Sequence, residues 1–381
     1  MLALSKNRTV SLTSRTDTAQ PAGGGDRFYP QLNGLRFVFI FMVMLHHWGP
    51  QTLFEQYRLG WVGVDLFYVL SGFLIGEILL REKEHTINRG TSIRNFIMRR
   101  ALRIFPLYYA VVLLYSLFVD DGGILVPNLT YTNNIYQAFH MENVKEDFWH
   151  LWSLCVEEQF YLLFPFLIFF VNKKYLLPTL LSGIGFSIVG RVLAASYADN
   201  SDMRILMPFC LDSLFGGVLL AYLKIHRPHF LLRLLGNQSK TITAVVGCMI
   251  VFTVVCYLNN NFLLFGALRL FASVAGFLLI GYSVMKRYKG PLKSFLENRV
   301  VAELGKISYG LYLIHSFVER IYFKHTEKNV IRNFFIDSGL PVLRNRLVID
   351  FILLFAITVT IAYFSFYFFE KRFLKLKAFF T

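Results

Sequence analysis

Two residues suited to acid-base and electrostatic chemistry sit eleven positions apart in an otherwise apolar stretch, LNGLRFVFIFMVMLHHWGP, at residues 32–50. At about 100° per residue, those steps bring Arg36 and His47 to within about 20° of one helical face and roughly 16 Å apart along the axis. His46 is turned about 80° away, so His47 is the histidine aligned with the arginine. An ionisable side chain inside an apolar span is costly enough that function is its default reading. Imidazole also exchanges a proton near neutral pH. The alternative is a histidine satisfied by a neighbouring helix.

The next apolar stretch, GWVGVDLFYVLSGFLIGE, carries Asp65 just inside its outer start at Trp61. His47 lies near the outer end of its own span, so the two groups share a depth on consecutive antiparallel helices. A carboxylate that orients an imidazole is the expected pairing; a helix cap near the interface is the alternative. Gly72 and Gly76 fall within about 20° of the Asp65 face, which predicts close packing of that side against another helix. In FWHLWSLCVEEQFYLLFP, His150, Glu157 and Tyr161 share one stripe, while Trp152 and Gln159 share another. Adjacent carboxylates at Glu157 and Glu158 need arginine, histidine or hydroxyl partners in a low dielectric, which predicts a polar wall of an internal cavity. Ser308, Tyr312, His315 and Glu319 in SYGLYLIHSFVER make a further polar stripe. In NFIMRRALRIFP, Arg99, Arg100 and Arg103 crowd the entrance of a span. Their guanidinium forks suit phosphate oxygens, and lipid headgroup anchoring is the competing reading.

The elements that must position these groups follow from composition. With 381 residues, 55% hydrophobic and 17% aromatic, the chain reads as an all-α polytopic membrane protein. Apolar spans near 33–49, 61–80, 104–119, 150–171, 176–196, 205–223, 242–258, 262–285, 307–322 and 347–369 predict about ten transmembrane helices. Of the 39 Lys and Arg, 27 fall on the side of the N-terminal segment and 9 on the other, which places both termini in the cytoplasm. The basic segment 320–346 is the exception to that bias. The net charge of +15 then records topology and contact with the lipid bilayer rather than nucleic acid. Cys155, Cys210, Cys248 and Cys256 all lie in apolar stretches and read as small hydrophobes, not a disulfide framework or a metal site. Residues 1–29 read as a disordered cytoplasmic tail, 30–373 as one membrane domain and 374–381 as a short cytoplasmic tail.

Taken in order, LNGLRFVFIFMVMLHH, GWVGVDLFYVLSGFLI, FIMRRALRIFPLYY, FWHLWSLCVEEQFYLLFP, ISYGLYLIH and the closing FFEKRF resemble the multipass membrane acyltransferases known as acyltransferase family 3. That family includes O-acetylases of lipopolysaccharide and other bacterial glycans. The resemblance spans residues 31–373. It implies a ten-helix domain in a bacterial cytoplasmic (inner) membrane and an acyl-CoA co-substrate, acetyl-CoA foremost, with no permanently bound cofactor. It also implies a carbohydrate or glycolipid hydroxyl as acceptor, and an essential arginine and histidine that map to Arg36 and His47. Arg372 stands where the family usually has proline, and Cys210 where it often has arginine.

An alcohol near neutral pH is a weak nucleophile, so its attack on a thioester needs a positioned base. The candidate set is His47 as that base, Asp65 as its orienter, and Arg36, Glu157 and Glu158 for charge balance or acceptor placement. Arg36, Arg99, Arg100 and Arg103 are the candidates for donor phosphates. Ser71, Trp152, Gln159, Tyr161, Tyr312 and His315 are the candidate substrate contacts. Direct transfer and a histidine-acyl intermediate both fit these residues. A proton- or ion-coupled transporter would bury similar groups, but transporter folds usually carry internal repeats, and none is visible here. A glycan-export component that consumes no thioester is the third reading.

Overall fold

The computed structural model describes residues 29–49, 59–118, 123–140, 144, 146–197, 201–258, 262–324 and 346–380. Every regular element among them is helical. The longest are α1 (Pro30–Trp48), α2 (Leu59–His85), α3 (Arg89–Phe118), α4 (Trp152–Phe170), α5 (Lys173–Tyr197), α6 (Leu211–His226), α7 (Gln238–Leu258), α8 (Phe262–Met285), α9 (Ser308–Lys324) and α10 (Arg346–Phe364). Each apolar span expected from the sequence coincides with one of them. By length and composition, six helices among the described residues suffice to cross a membrane, or up to seven if the bent pair Arg269–Met285 and Gly290–Leu296 counts as one span. The helix α1 is not in that group, because Gln31, Asn33, Arg36, His46 and His47 occupy it. Such a helix needs protein around much of its circumference, since lipid satisfies none of these groups. The expected N-terminal tail to residue 28, the loop 50–58 and most of the basic segment 320–346 lie outside the described residues.

The bundle is built around α2, whose long apolar sequence is buried along most of its length. Its closest neighbour is α6. A Cβ added at Gly72 would lie 2.0 Å from the Leu214 carbonyl oxygen, and one at Gly217 would lie 2.0 Å from that of Val69. Only glycine allows the two backbones to approach this far. Gly76 continues the contact toward Val218 and Ala221, as the small-residue face of α2 predicts.

Pro30 occupies the first turn of α1, where its missing N–H costs nothing, and the helix closes with Gly49 N–H donating to the Leu45 carbonyl at 3.0 Å. Its N-terminal end is held from three sides. The Gln31 amide bonds the Tyr288 carbonyl (3.0 Å) and Glu297 (2.9 Å), the Tyr29 hydroxyl donates to Glu77 (2.7 Å), and Gly305 lies flush against the Asn33 backbone. This anchoring fixes the depth of Arg36 and His47. At the other end of the chain, residues 371–379 continue as short helical turns, and Arg99 donates to the Phe380 carbonyl at 2.9 Å.

Candidate functional site

A cavity opens between α1, α2, α3, α4 and α9. About 100 Å³ of it is wide enough to seat the centre of a water-sized group, within about 800 Å³ of unfilled space that includes its opening to solvent. Its polar walls are Arg36 from α1, Tyr68 and Ser71 from α2, Arg100 and Arg103 from α3, Ser153, Glu157 and Tyr161 from α4, and Ser308, Tyr309 and Tyr312 from α9. The charged lining is thus three guanidiniums to one carboxylate. Ser71 donates to one Glu157 oxygen at 2.9 Å and Tyr161 to the other at 3.2 Å, so the carboxylate is oriented before any ligand arrives. Arg36 is steadied one turn back along its own helix by Asn33, at 3.0 Å.

The wall formed by α4 and α9 leads to a second cluster. The Tyr68 hydroxyl donates to the Ser153 carbonyl at 3.2 Å. The Tyr312 hydroxyl lies within hydrogen-bond reach of Ser153 Oγ and, at 3.0 Å, of the His150 carbonyl. On the far side of Tyr312 stand three imidazoles, with His315 stacked edgewise between His47 at 4.9 Å and His150 at 5.1 Å, centroid to centroid. His315 Nδ1–H donates to the Tyr312 carbonyl at 2.6 Å. His46 turns instead to the start of α2, where a Cβ on Gly60 would meet its ring at 2.5 Å. The helical-face reading therefore separates the two histidines as the fold does. His47 does not line the cavity; Tyr312 and Ser153 border the cavity and also meet the histidine cluster, Tyr312 by packing on His315 and Ser153 by donating to the His150 carbonyl at 3.1 Å.

The expected pairing of Asp65 with His47 is not what the fold makes. Both Asp65 oxygens accept from Arg269 of α8, at 2.6 and 3.0 Å, and Ser213 of α6 adds a bond at 3.1 Å. Beside them Arg191 of α5 grips Asp212 of α6 at 2.6 and 2.7 Å, and both pairs are closed to solvent. A charge buried this deeply must be answered by another that is fully hydrogen-bonded, and Arg269 is nearer in kind and geometry than an imidazole. Arg191 and Arg269 were legible as arginines inside spans, a signal that each requires a carboxylate on a neighbouring helix.

Four other candidates also sit apart from the cavity lining. Glu158 is not part of the lining, and its Oε1 is buried with no hydrogen-bond partner among the described residues. Arg99 is taken up by the Phe380 carbonyl and by Glu82 at 3.7 Å. Gln159 donates to the Tyr131 carbonyl (2.9 Å) and to Asn134 (2.8 Å). Trp152 packs on Trp61 at 5.1 Å and against the edge of Tyr68 at 6.3 Å, backing the cavity wall. In each case helical angle alone placed the side chain on a polar stripe, and the neighbouring helix decided what it met. Conversely Ser153, Ser308 and Tyr309 line the cavity, and their signal was their membership of the same two polar motifs.

A polytopic helical membrane protein with an internal cationic cavity and a histidine cluster behind one wall is the class that fold and site define. The chain belongs to the acyltransferase family whose resemblance was noted above: the family model described as an acyltransferase domain matches residues 29–369. It is 30% identical over 316 residues to the peptidoglycan O-acetyltransferase OatA of Listeria monocytogenes, covering 76% of this chain and 49% of that protein. It is 28% identical over 321 residues to the O-acetyltransferase OatA of Staphylococcus aureus, covering 76% of this chain and 50% of that protein. The chain spans about half the length of the curated relatives it matches. No solved structure matches it.

Proposed function

We propose that this protein transfers an acyl group, acetyl foremost, from acyl-CoA to a sugar hydroxyl of a cell-envelope glycan, with His47 as general base. The observation that carries the reading is the cavity that gathers Arg36, Arg100 and Arg103 on one side and abuts, through Tyr312, the cluster containing His47. Coenzyme A carries several phosphate charges, and paired guanidinium forks are the protein groups best matched to them. The relatives named for O-acetyl transfer, one of them to peptidoglycan, favour a glycan acceptor.

In this reading the nucleotide end of the donor rests near Arg100 and Arg103, and the pantetheine arm extends along α1 past Arg36. The distance from Arg36 to His47, roughly 16 Å along the helix axis, is within reach of that arm. The acceptor oxygen attacks the thioester carbonyl carbon while His47 takes its proton. The carbon–sulfur bond then breaks, and the departing thiolate recovers that proton from the imidazolium, leaving ester and free thiol. Glu157, held by Ser71 and Tyr161, balances the guanidiniums. Asp65 acts in the frame and not on the base.

The topology that fits is ten membrane-spanning helices with both termini in the cytoplasm of a bacterium. The arginine-lined mouth then faces the cytosolic donor, and the histidine cluster lies in the outer half. The test is radiolabelled acetyl-CoA supplied to oriented proteoliposomes with peptidoglycan fragments enclosed on the opposite side. Label is expected on the glycan with wild type and with His46→Ala, and none with His47→Ala. Transfer that requires donor and glycan in one compartment removes the two-sided reading, and turnover in His47→Ala removes the base.

A further inference from the structure

The inner end of α10 gives way to a different geometry. Ser365–Glu370 form a π-helical turn, and the Lys371 N–H that closes it reaches back five residues to the Phe366 carbonyl. Turns of this kind inside α-helices are rare and concentrate at functional sites. In an unbroken α-helix Glu370 would stand about 80° around the axis from Ala362; the residue that a π turn inserts rotates it back by about 100°, to within about 20° of Ala362. That is the face on which α10 meets α9. A Cβ added at Gly310 would lie 3.3 Å from the Ala362 Cβ and 3.7 Å from Glu370 Oε1. The turn thus brings a carboxylate onto a closely packed helix interface.

Glu370 is 6% exposed there, and its hydrogen bond among the described residues is a long one, 3.4 Å from Ser365 Oγ. A buried carboxylate so weakly satisfied needs a counter-charge. Lys306 is engaged by Glu303 at 3.2 Å and by the Tyr367 hydroxyl at 2.9 Å, and Lys371 lies over the Tyr367 ring at 4.7 Å. The cation whose charge acts on Glu370 is Arg103. Backbone contacts locate it. Tyr309, adjacent to Gly310, donates to the carbonyl of Ile104, adjacent to Arg103, at 2.8 Å, and Tyr309, Ile104 and Arg103 all line the cavity. Arg103 makes no hydrogen bond or ion pair among the described residues. The other carboxylate acting on it is Glu157 of the cavity wall.

We infer that Glu370 is a positioning residue for Arg103, holding the guanidinium toward the donor phosphates and away from Glu157. Once Glu370 is neutral, Glu157 alone of the two carboxylates draws Arg103, and a guanidinium paired there is lost to the donor. This rests on the reading of Arg103 as a donor ligand and deepens it: the π turn at the end of α10 sets a residue that touches the donor without touching the donor itself.

The full chain in lipid nanodiscs, with acetyl-CoA as donor and peptidoglycan fragments as acceptor, supplies the test. Glu370→Gln keeps the volume and the bond to Ser365 and removes the charge; Glu370→Asp keeps the charge on a shorter arm. Glu370→Gln is expected to raise the acetyl-CoA KM about fivefold, with kcat and acceptor KM within about twofold of wild type, and Glu370→Asp to raise it less. A packing role reverses that order, because glutamine is the closer isostere. Arg103→Ala is expected to raise the same KM about tenfold, and Glu370→Gln/Arg103→Ala no further, since the carboxylate acts only through the guanidinium. An unchanged or lowered donor KM in Glu370→Gln overturns the proposal, as does an effect that multiplies with that of Arg103→Ala. A readout without turnover is the rise in melting temperature that coenzyme A alone causes, expected to shrink in Glu370→Gln and in Arg103→Ala. If Arg103→Ala leaves both the donor KM and that rise as in wild type, the donor reading of Arg103 falls and the proposal with it. A raised donor KM in Arg103→Ala beside an unchanged one in Glu370→Gln overturns the positioning alone.

Discussion

The cavity and the ion-pair knot of α2, α5, α6 and α8 are both made of arginines and carboxylates on neighbouring helices, yet they are built to opposite ends. In the knot, Asp65, Asp212, Arg191 and Arg269 match two against two, and serines 187, 213 and 273 take up further lone pairs. It is sealed, and Trp61 lies over the Arg269 guanidinium at 5.3 Å. In the cavity, three guanidiniums line a space with one carboxylate, and the walls stay partly open. A balanced, closed set of charges holds helices together. A lining with more guanidiniums than carboxylates around an open space favours negative charge there. Residue type does not distinguish the two; stoichiometry and access do.

The largest effect that would break this comparison lies in the knot. Arg269→Met is expected to cost about 3–5 kcal/mol, because it strands Asp65 as a buried charge, and to show as loss of monodisperse protein on size exclusion. The double variant Asp65→Leu/Arg269→Met should recover much of that stability, since an apolar pair of similar volume leaves nothing unsatisfied. If the double variant folds but has lost turnover, Asp65 belongs to the chemistry after all.

In the cavity the order reverses, with function lost and fold kept. Arg100→Ala combined with Arg103→Ala should raise the apparent acetyl-CoA KM by about 10- to 100-fold, the worth of one or two charge-assisted bonds, while the melting temperature moves little. A fall in kcat at unchanged KM would instead place these arginines at the reacting centre.

Smaller shifts sharpen the division. Ser71→Ala removes one of the two bonds that orient Glu157, and a several-fold fall in kcat/KM at unchanged melting temperature is expected. Tyr161→Phe, which loses the longer bond of 3.2 Å, should cost less than Ser71→Ala. The smallest effect is expected at Arg99, whose partners are Glu82 and the Phe380 carbonyl. Arg99→Ala should leave the donor KM within about threefold of wild type, and a larger rise would extend the donor site out to the C-terminal turns.

Periodicity and hydropathy by themselves determined the helical class, the positions of the ten apolar segments and the glycine face of α2, because each depends only on spacing along a single helix. They also separated His47 from His46, and the motifs that border the cavity were legible as polar stripes in greasy surroundings. Which helix stands opposite which was not legible. The expected common depth of Asp65 and His47 is not met, because Gly60 abuts His46 while Gly63 abuts Phe39 and Val43, which sets Asp65 deeper than His47; the packing of α2 on α6 and α8 then turns that carboxylate to Arg269. Gln159 and Glu158 lie one residue from each other beside Glu157, and only the neighbouring helices decide that Gln159 meets Asn134 while Glu157 meets Ser71. The sequence specifies what each helix presents along its own axis. Tertiary structure alone decides the azimuth at which two helices meet, because that is set by close packing of many side chains at once, and a buried charge then takes the partner that this packing brings within reach.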